Sequence, residues 1–347
     1  MHRVAIVGAG IGREHLAAYR ALPERFEVVA ICDRDTARAE GIAQGIPVTG
    51  DMGAVLADPG IDLIDICLPP HLHFDAVMAA LEAGKAVICE KPLVASLAEA
   101  DALLDRLAQG GQLFPVFQYR YGVGTTQLRA LIDAGLAGPL FAGTIETHWN
   151  RDAAYYAVDW RGTWAGERGG CILGHAIHIH DFLPAFLGPV ARVHAELATR
   201  VNEIEVEDCA ALAIRMESGA VLTSSVTLGA AQDTTRMRLM FRGFTAESGL
   251  APYAPAASPW SFTARAPVAQ AEVDAVLAGV GAVPTGFAGF LTAVSEALEG
   301  RPGDEVTALD GRRSIEFVTA VYASARAGQP EALPLGEDHP LYRGWMP

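Results

Sequence analysis

The chain has 347 residues, enough for two domains each with its own core, and 51% of them are hydrophobic. Its 41 acidic side chains against 26 Lys and Arg leave a formal charge of −15, which argues against a nucleic-acid or anionic-membrane partner. No apolar run approaches a membrane span, and Met1-His2-Arg3 leads straight into a strand, leaving no room for a signal peptide; the expectation is a cytoplasmic protein.

The first third alternates between β-branched runs and helical patterns. Strands are predicted at Val4–Val7, Val28–Cys32, Leu63–Leu68, Ala86–Cys89 and Leu113–Phe117, and helices at Glu14–Ala21, Thr36–Gln44, Phe74–Ala83 and Leu97–Ala108. Gly84 stands where a left-handed C-terminal cap belongs. Such βαβ alternation predicts a parallel sheet covered by helices on both faces. Cys32, Cys67 and Cys89 lie near the ends of these apolar strands, and the five cysteines contain no Cys-x-x-Cys pair, so they read as reduced thiols.

After Tyr119 the rhythm changes, which sets a domain boundary between residues 1–119 and 120–347. A strand at Leu140–Trp149 precedes a polar, aromatic loop to Arg168 and a helix from Gly170 to Leu187. Alternating segments at Ala191–Thr199, Cys209–Met216, Ala220–Thr227 and Thr235–Phe241 predict an antiparallel sheet with one packed face. The Pro-, Ala- and Ser-rich stretch Ala251–Pro267 shows no clear period, and helices return at Phe287–Leu298 and Gly311–Ala327. The fold class is therefore α/β: an N-terminal doubly wound parallel sheet, then a C-terminal α/β domain.

Val4-Ala5-Ile6-Val7-Gly8-Ala9-Gly10-Ile11-Gly12 is a strand entering a glycine turn ahead of a helix. Gly8 permits a tight turn, Gly10 lets the backbone approach a pyrophosphate, and the helix N-terminus offers N–H groups and dipole to phosphates. The usual third glycine falls at position 13, where this chain has Arg13, with Gly12 one residue early. Asp33, ending the second strand, lies where an acid accepts hydrogen bonds from a ribose 2′-hydroxyl and repels a 2′-phosphate. That favours NAD; Arg34 beside it partly offsets the repulsion and keeps NADP open. Asp33 also suits a helix-preceding cap, and the two roles can coexist.

Glu90-Lys91-Pro92 follows the strand Ala86–Cys89, so Lys91 falls outside the carboxyl end of a strand, where ligands of open α/β sheets gather. Pro92 biases Lys91 toward extended backbone. The second polar cluster is Gly169-Gly170-Cys171-Ile172-Leu173-Gly174-His175-Ala176-Ile177-His178-Ile179-His180-Asp181. Helical spacing puts His175, His178 and Asp181 on one face and turns His180 away. A histidine near neutral pKa suits the proton released when an alcohol becomes a ketone. Asp181 is expected to orient a histidine or to pair locally. His175-x-x-His178-x-x-Asp181 lacks a fourth ligand at recognisable spacing, so no metal is expected.

Together these pieces resemble the Gfo/Idh/MocA oxidoreductase family over nearly the whole chain. The resemblance rests on Gly8-Ala9-Gly10-Ile11-Gly12-Arg13-Glu14-His15, Leu68-Pro69-Pro70-His71-Leu72-His73, Ala83-Gly84-Lys85 leading to Glu90-Lys91-Pro92-Leu93, Gly169-Gly170 with His178 and Asp181, Glu207-Asp208 to Ser218-Gly219-Ala220, and Asp310-Gly311-Arg312. It implies a Rossmann domain, then a domain whose large, mostly antiparallel open sheet often serves as a homodimer or homotetramer interface. It also implies NAD(P)-dependent hydride transfer at a hydroxyl or keto carbon of a sugar, cyclitol or related polyol. Lys91 takes the position of the family's active-site lysine and His178 that of its histidine. Many members carry an aspartate one turn before that histidine; here the position is Gly174, and His175 is the candidate substitute.

The expected site thus has Lys91, His178 and His175 as catalytic groups. Gly8, Gly10, Ile11, Gly12, Asp33, Arg34, Leu68, Pro69, His73, Glu90 and Lys91 are expected on the cofactor. Gln118, Tyr156, Arg161 and Trp164 are expected on the substrate, since flat aromatics cover sugar C–H faces and Arg161 can bind hydroxyl or carboxylate oxygens. Alternatives with the same residues are a redox-assisted NAD-dependent glycoside hydrolase, a dihydrodiol dehydrogenase, or a non-catalytic dinucleotide-sensing regulator, which would need neither Lys91 nor His178.

Overall fold

A computed structural model describes residues 1–347, which divide into two units. The first comprises Met1–Phe117 with Phe287–Ile315, and the second Gln118–Gly286 with Glu316–Pro347. The single boundary at 119/120 read from sequence therefore misses one event: the chain comes back to the first unit late. Helical periodicity says which face of a segment is apolar, but not which core it joins.

The first unit is built on six parallel strands: β1 (His2–Val7), β2 (Phe26–Cys32), β3 (Val48–Thr49), β4 (Leu63–Ile66), β5 (Ala86–Cys89) and β6 (Leu113–Pro115), in the order β3-β2-β1-β4-β5-β6. Helices α1 (Gly12–Arg20), α2 (Thr36–Ala43), α3 (Met52–Ala57), α4 (His73–Glu82) and α5 (Leu97–Leu107) make the connections. Three begin with a side-chain cap: Asp35, Asp51 and Ser96 accept from the N–H groups of Arg38, Ala54 and Glu99. Gly84, at φ +74°, takes the left-handed turn expected of it. Val4, Ala5, Ile6, Leu63, Ile64 and Ile66 are fully buried, as central strands covered on both faces must be. Strand order reverses between β1 and β4, so the turns after those strands flank the switch point of the sheet.

The second unit holds an eight-stranded sheet: β7 (Leu140–Asn150), β8 (Val190–Ala198), β9 (Cys209–Met216), β10 (Val221–Thr227), β11 (Gly229–Phe241), β12 (Phe244–Glu247), β13 (Ser261–Ala264) and β14 (Glu331–Ala332). Its order is β13-β12-β11-β7-β10-β9-β8-β14, and every neighbouring pair is antiparallel except β7 with β10. Buried and exposed residues alternate along β9 and β10, so one face is covered and the other faces solvent. Helices α6 (Val123–Asp133), α7 (Trp164–Glu167) and α8 (Ile177–Phe182) belong to this unit. Helix α6, strand β12 and the helix Gln270–Ala278 go beyond the sequence reading, and β13 lies in the Pro-, Ala- and Ser-rich stretch, where four residues are too few to show a period. No helix is long and apolar enough to cross a membrane.

Candidate active site

The glycine turn is shaped by what lies against it. Gly8, at φ +106°, could not carry a Cβ, which would stand 2.4 Å from the Cys67 carbonyl oxygen in the turn after β4. Gly10 has open space around its missing Cβ, so its backbone is approachable. A Cβ on Gly12 would meet Ile6 Cγ2 at 2.7 Å, so Gly12 provides the close helix–strand approach usually assigned to a third glycine, although it is one residue early. Arg13, at the usual position, simply points to solvent. Ile11 is exposed and Leu68 and Pro69 are half-buried beside the turn.

Asp33 accepts from the Ala9 N–H at 2.8 Å and from the Asp35 N–H at 2.9 Å. It therefore fixes the glycine turn from the end of β2, in addition to the ribose role read from sequence. Arg34 is exposed, and Arg38 approaches Asp33 at 3.9 Å.

Lys91 is half-buried at the carboxyl end of β5, and its N–H donates to Glu90 Oε2 at 3.1 Å. Two expected cofactor contacts are turned inward instead. His73 is wholly buried, with Nδ1 2.7 Å from the Pro92 carbonyl and Nε2 2.7 Å from the Leu68 carbonyl, so it braces the turns after β4 and β5. Burial is the main reason its pKa is lowered. Glu90 directs Oε1 at His15 Nε2, 3.0 Å away, while His15 Nδ1 lies 2.8 Å from Asp65 Oδ2. Sequence reasoning gave His15 and Asp65 no role. A lone acid inside Leu63-Ile64-Asp65-Ile66 was the available signal, because a buried carboxylate requires a partner.

In the second unit the histidine segment, expected as one helix from Gly170 to Leu187, is helical over 172–187, but α8 is flanked by wider π-type turns at Ile172–Ala176 and Leu183–Leu187. Such turns recur at functional sites. They also alter the simple helical face. His175 is buried, with Nε2 3.3 Å from the Tyr155 hydroxyl and its ring edge-on to Trp149. His178 stacks on Tyr119 with ring centres 4.5 Å apart. Arg120 donates to both oxygens of Asp181, at 2.7 and 2.6 Å. His180 does turn away, bonding Ser224 Oγ at 2.9 Å, and burial drives its pKa down to about 3.

The start of this segment is anchored by Glu207. Its carboxylate accepts from the N–H groups of Gly170 and Ile172, each at 3.1 Å, and from the Tyr322 hydroxyl at 2.9 Å. Gly170 is obligatory, since a Cβ there would stand 1.8 Å from the Glu207 carbonyl oxygen. At Gly174 a Cβ would meet only Glu167 Oε1, at 3.5 Å. The position thus has room for a side chain and already faces a buried carboxylate, whose other oxygen accepts from the Gly162 N–H.

The aromatic loop contributes unequally. Arg161 lies 3.8 Å above the Tyr155 ring, and its Nε is buried with no protein hydrogen-bond partner. Gln118 Oε1 is likewise buried and unpartnered. Tyr156 is half-buried, edge-on to Tyr155, while Trp164 packs edge-on against Tyr322. Arg151, missed from sequence, sits over Trp149, Tyr155 and Tyr253 and pairs with Asp233 at 3.0 Å.

A parallel sheet ordered about a switch point, with a glycine turn whose backbone is open at Gly10 and an acid ending β2, has the donor set a dinucleotide requires. This is the architecture of a dinucleotide-binding Rossmann domain. Residues 2–118 match the family described as oxidoreductase family, NAD-binding Rossmann fold, and residues 125–245 match the GFO/IDH/MocA C-terminal domain; the chain belongs to the Gfo/Idh/MocA family.

Among curated relatives, levoglucosan dehydrogenase of Pseudarthrobacter phenanthrenivorans is 30% identical over 214 residues, 58% of this chain and 55% of that protein. Inositol 2-dehydrogenase 3 of Saccharopolyspora erythraea is 33% identical over 162 residues, 45% of this chain and 48% of that protein. The chain thus aligns with about half the length of these relatives. The solved WlbA dehydrogenase of Bordetella pertussis, in complex with NADH and UDP-GlcNAcA, is 28% identical with a TM-score of 0.84, covering 96% of this chain and 99% of that one.

Proposed function

We propose that this protein is an NAD-dependent dehydrogenase that moves a hydride between the nicotinamide and a CH–OH carbon of a sugar, cyclitol or related polyol. The observation that carries this reading is Lys91, placed just after β5 in the same parallel sheet whose β1 leads into the glycine turn and whose β2 leads into Asp33. Substrates of the relatives named above are of this class, and those relatives are dehydrogenases, which favours the reading over the hydrolytic and regulatory alternatives.

Gly8, Gly10, Ile11 and Gly12 would hold the pyrophosphate, Asp33 and Arg34 the ribose edge, and Leu68 and Pro69 the far side of the turn. When bound, the cofactor supplies the hydride acceptor or donor. Lys91 is the group proposed to polarise the reacting hydroxyl and exchange its proton, and His178, with His175 in reserve, is the proton-transfer candidate of the second unit. Arg161, through its unpartnered buried Nε, would donate to a substrate hydroxyl or carboxylate oxygen, and Gln118, through its unpartnered Oε1, would accept from a substrate hydroxyl, with Tyr156 and Trp164 against apolar sugar faces.

The test is titration with NAD+ and NADP+, then a polyol and sugar panel followed by NADH absorbance. Turnover lost in Lys91→Ala with NAD binding retained supports the proposal. Unchanged turnover in that variant ends it.

Self-association is proposed on the solvent face of the eight-stranded sheet, where the small side chains of Ala211, Ala213, Thr223 and Ser225 are exposed and Phe141 and Val221 are about half exposed. Sedimentation equilibrium showing a monomer at micromolar concentration would refute this. Five free cysteines suit a reducing compartment such as the cytoplasm.

A further inference from the structure

Beneath the Lys91 turn lies a buried polar chain that the proposed chemistry does not use. It runs from Asp65 on β4 to His15 on α1, then to Glu90 after β5, and ends at the Lys91 backbone N–H. Asp65, His15 and Glu90 are 0%, 1% and 6% exposed. Such isolation from water makes each missing hydrogen bond expensive.

Proton counting constrains the chain. Both ring nitrogens of His15 lie within 3.0 Å of a carboxyl oxygen, and with both acids ionised those oxygens only accept. A neutral imidazole donates once, so a neutral ring would leave a nitrogen lone pair facing a carboxylate. An imidazolium satisfies both contacts and offsets one of the two buried negative charges. Burial opposes that charge, but the charge and hydrogen bond of Asp65 act against burial, and the His15 pKa is raised.

The other groups in the chamber fit this account. Cys67 Sγ lies 3.5 Å from His15 Nδ1 and from Asp65 Oδ1; burial, then Asp65, push its thiol up to about 12, so it stays neutral. Tyr19, on the same helix, and Cys89 are also raised, by burial first, and remain uncharged. His73, beyond Glu90, is lowered by burial. The Phe287 ring closes one side of His15 at 4.6 Å between centres.

His15 also stands in the first turn of the helix that opens at the glycine loop. We propose that His15 is a positioning residue: as an imidazolium clamped between Asp65 and Glu90, it holds the Lys91 backbone in register with the glycine turn. That Lys91 is the reacting group rests on the function proposed above; the clamp does not.

The test has two arms on the full-length protein. Histidine-selective 15N NMR of the wild type, assigned with His15→Gln, should show one ring with both nitrogens protonated and no titration from pH 6 to 9. In His15→Gln and His15→Phe, kcat should fall about a hundredfold, the loss typical of a misplaced reacting group, while the Kd for NAD+ moves less than threefold. Absence of any doubly protonated ring among the ten histidines of the wild type at pH 7 overturns the proposal even if neither variant folds. A folded variant with unchanged kcat overturns it too. A wild type that shows the clamped ring but oxidises nothing refutes the dehydrogenase reading and leaves the clamp standing.

Discussion

Arg120 grips Asp181 through two nitrogens, and this pair ties the end of the histidine helix to the segment before α6 in the second unit. Asp181 is 1% exposed. A buried carboxylate stripped of its partner costs far more than the pair is worth. Arg120→Leu should therefore lose about 3–5 kcal/mol in urea unfolding. Arg120→Leu/Asp181→Leu should recover most of that, because no charge is left uncompensated.

Glu207 makes stability depend on pH. Burial raises its carboxyl from 4.5 to about 7, against the backbone, Ile172, Tyr322 and Gly170 hydrogen bonds that favour its charge. Between those pH values the unfolded chain has lost the proton and the folded chain keeps it, so stability falls as pH rises. The contribution is complete below pH 4.5, gone above 7, and of order 3 kcal/mol. Denaturant midpoints at pH 5 and 8 should therefore differ more in the wild type than in Glu207→Gln. Equal differences in the two proteins would contradict this.

Gly174 has space for a side chain and a carboxylate in front of it. Gly174→Ala should stabilise the protein by roughly 0.5–1 kcal/mol, since alanine costs less backbone entropy in a helical segment. Gly174→Asp adds a like charge beside Glu167 and should be less stable at pH 8 than at pH 5, relative to Gly174→Asn. Thermal unfolding of the three variants reads both effects.

Arg161, pinned on Tyr155 with Nε unpartnered, is predicted to act in substrate binding. Arg161→Ala should raise KM about ten- to a hundredfold, the value of a hydrogen bond to a charged group, with a smaller change in kcat. Steady-state kinetics on the best substrate of the panel decide it.

Local patterns were legible from sequence where one residue carries its own physical reason. Gly8 and Gly10 announce a turn, Lys91-Pro92 follows a strand, and the alternation in β9 and β10 forecasts a one-sided sheet. His15 and Asp65 were not legible, because their meaning lies in a contact across 50 positions of chain. Glu207 is similar: its partners Gly170 and Tyr322 are 37 and 115 residues away. His73 and Glu90 sat in the right motif, but motif spacing does not tell an inward side chain from an outward one. The wide turns beside α8 were also hidden, since an apolar run looks the same at either helical pitch.

The late return of Phe287–Ile315 gives the first unit a particular life on the ribosome. Domains generally fold as they emerge, amino-terminal part first. Here all six parallel strands have been synthesised long before Phe287, the ring that seals His15, exists. The nascent cofactor-binding unit must wait, open on that side, until nearly the whole polypeptide has been made. A protein released early by truncation would carry every motif of a dinucleotide site and still lack the wall that keeps water from its buried charges.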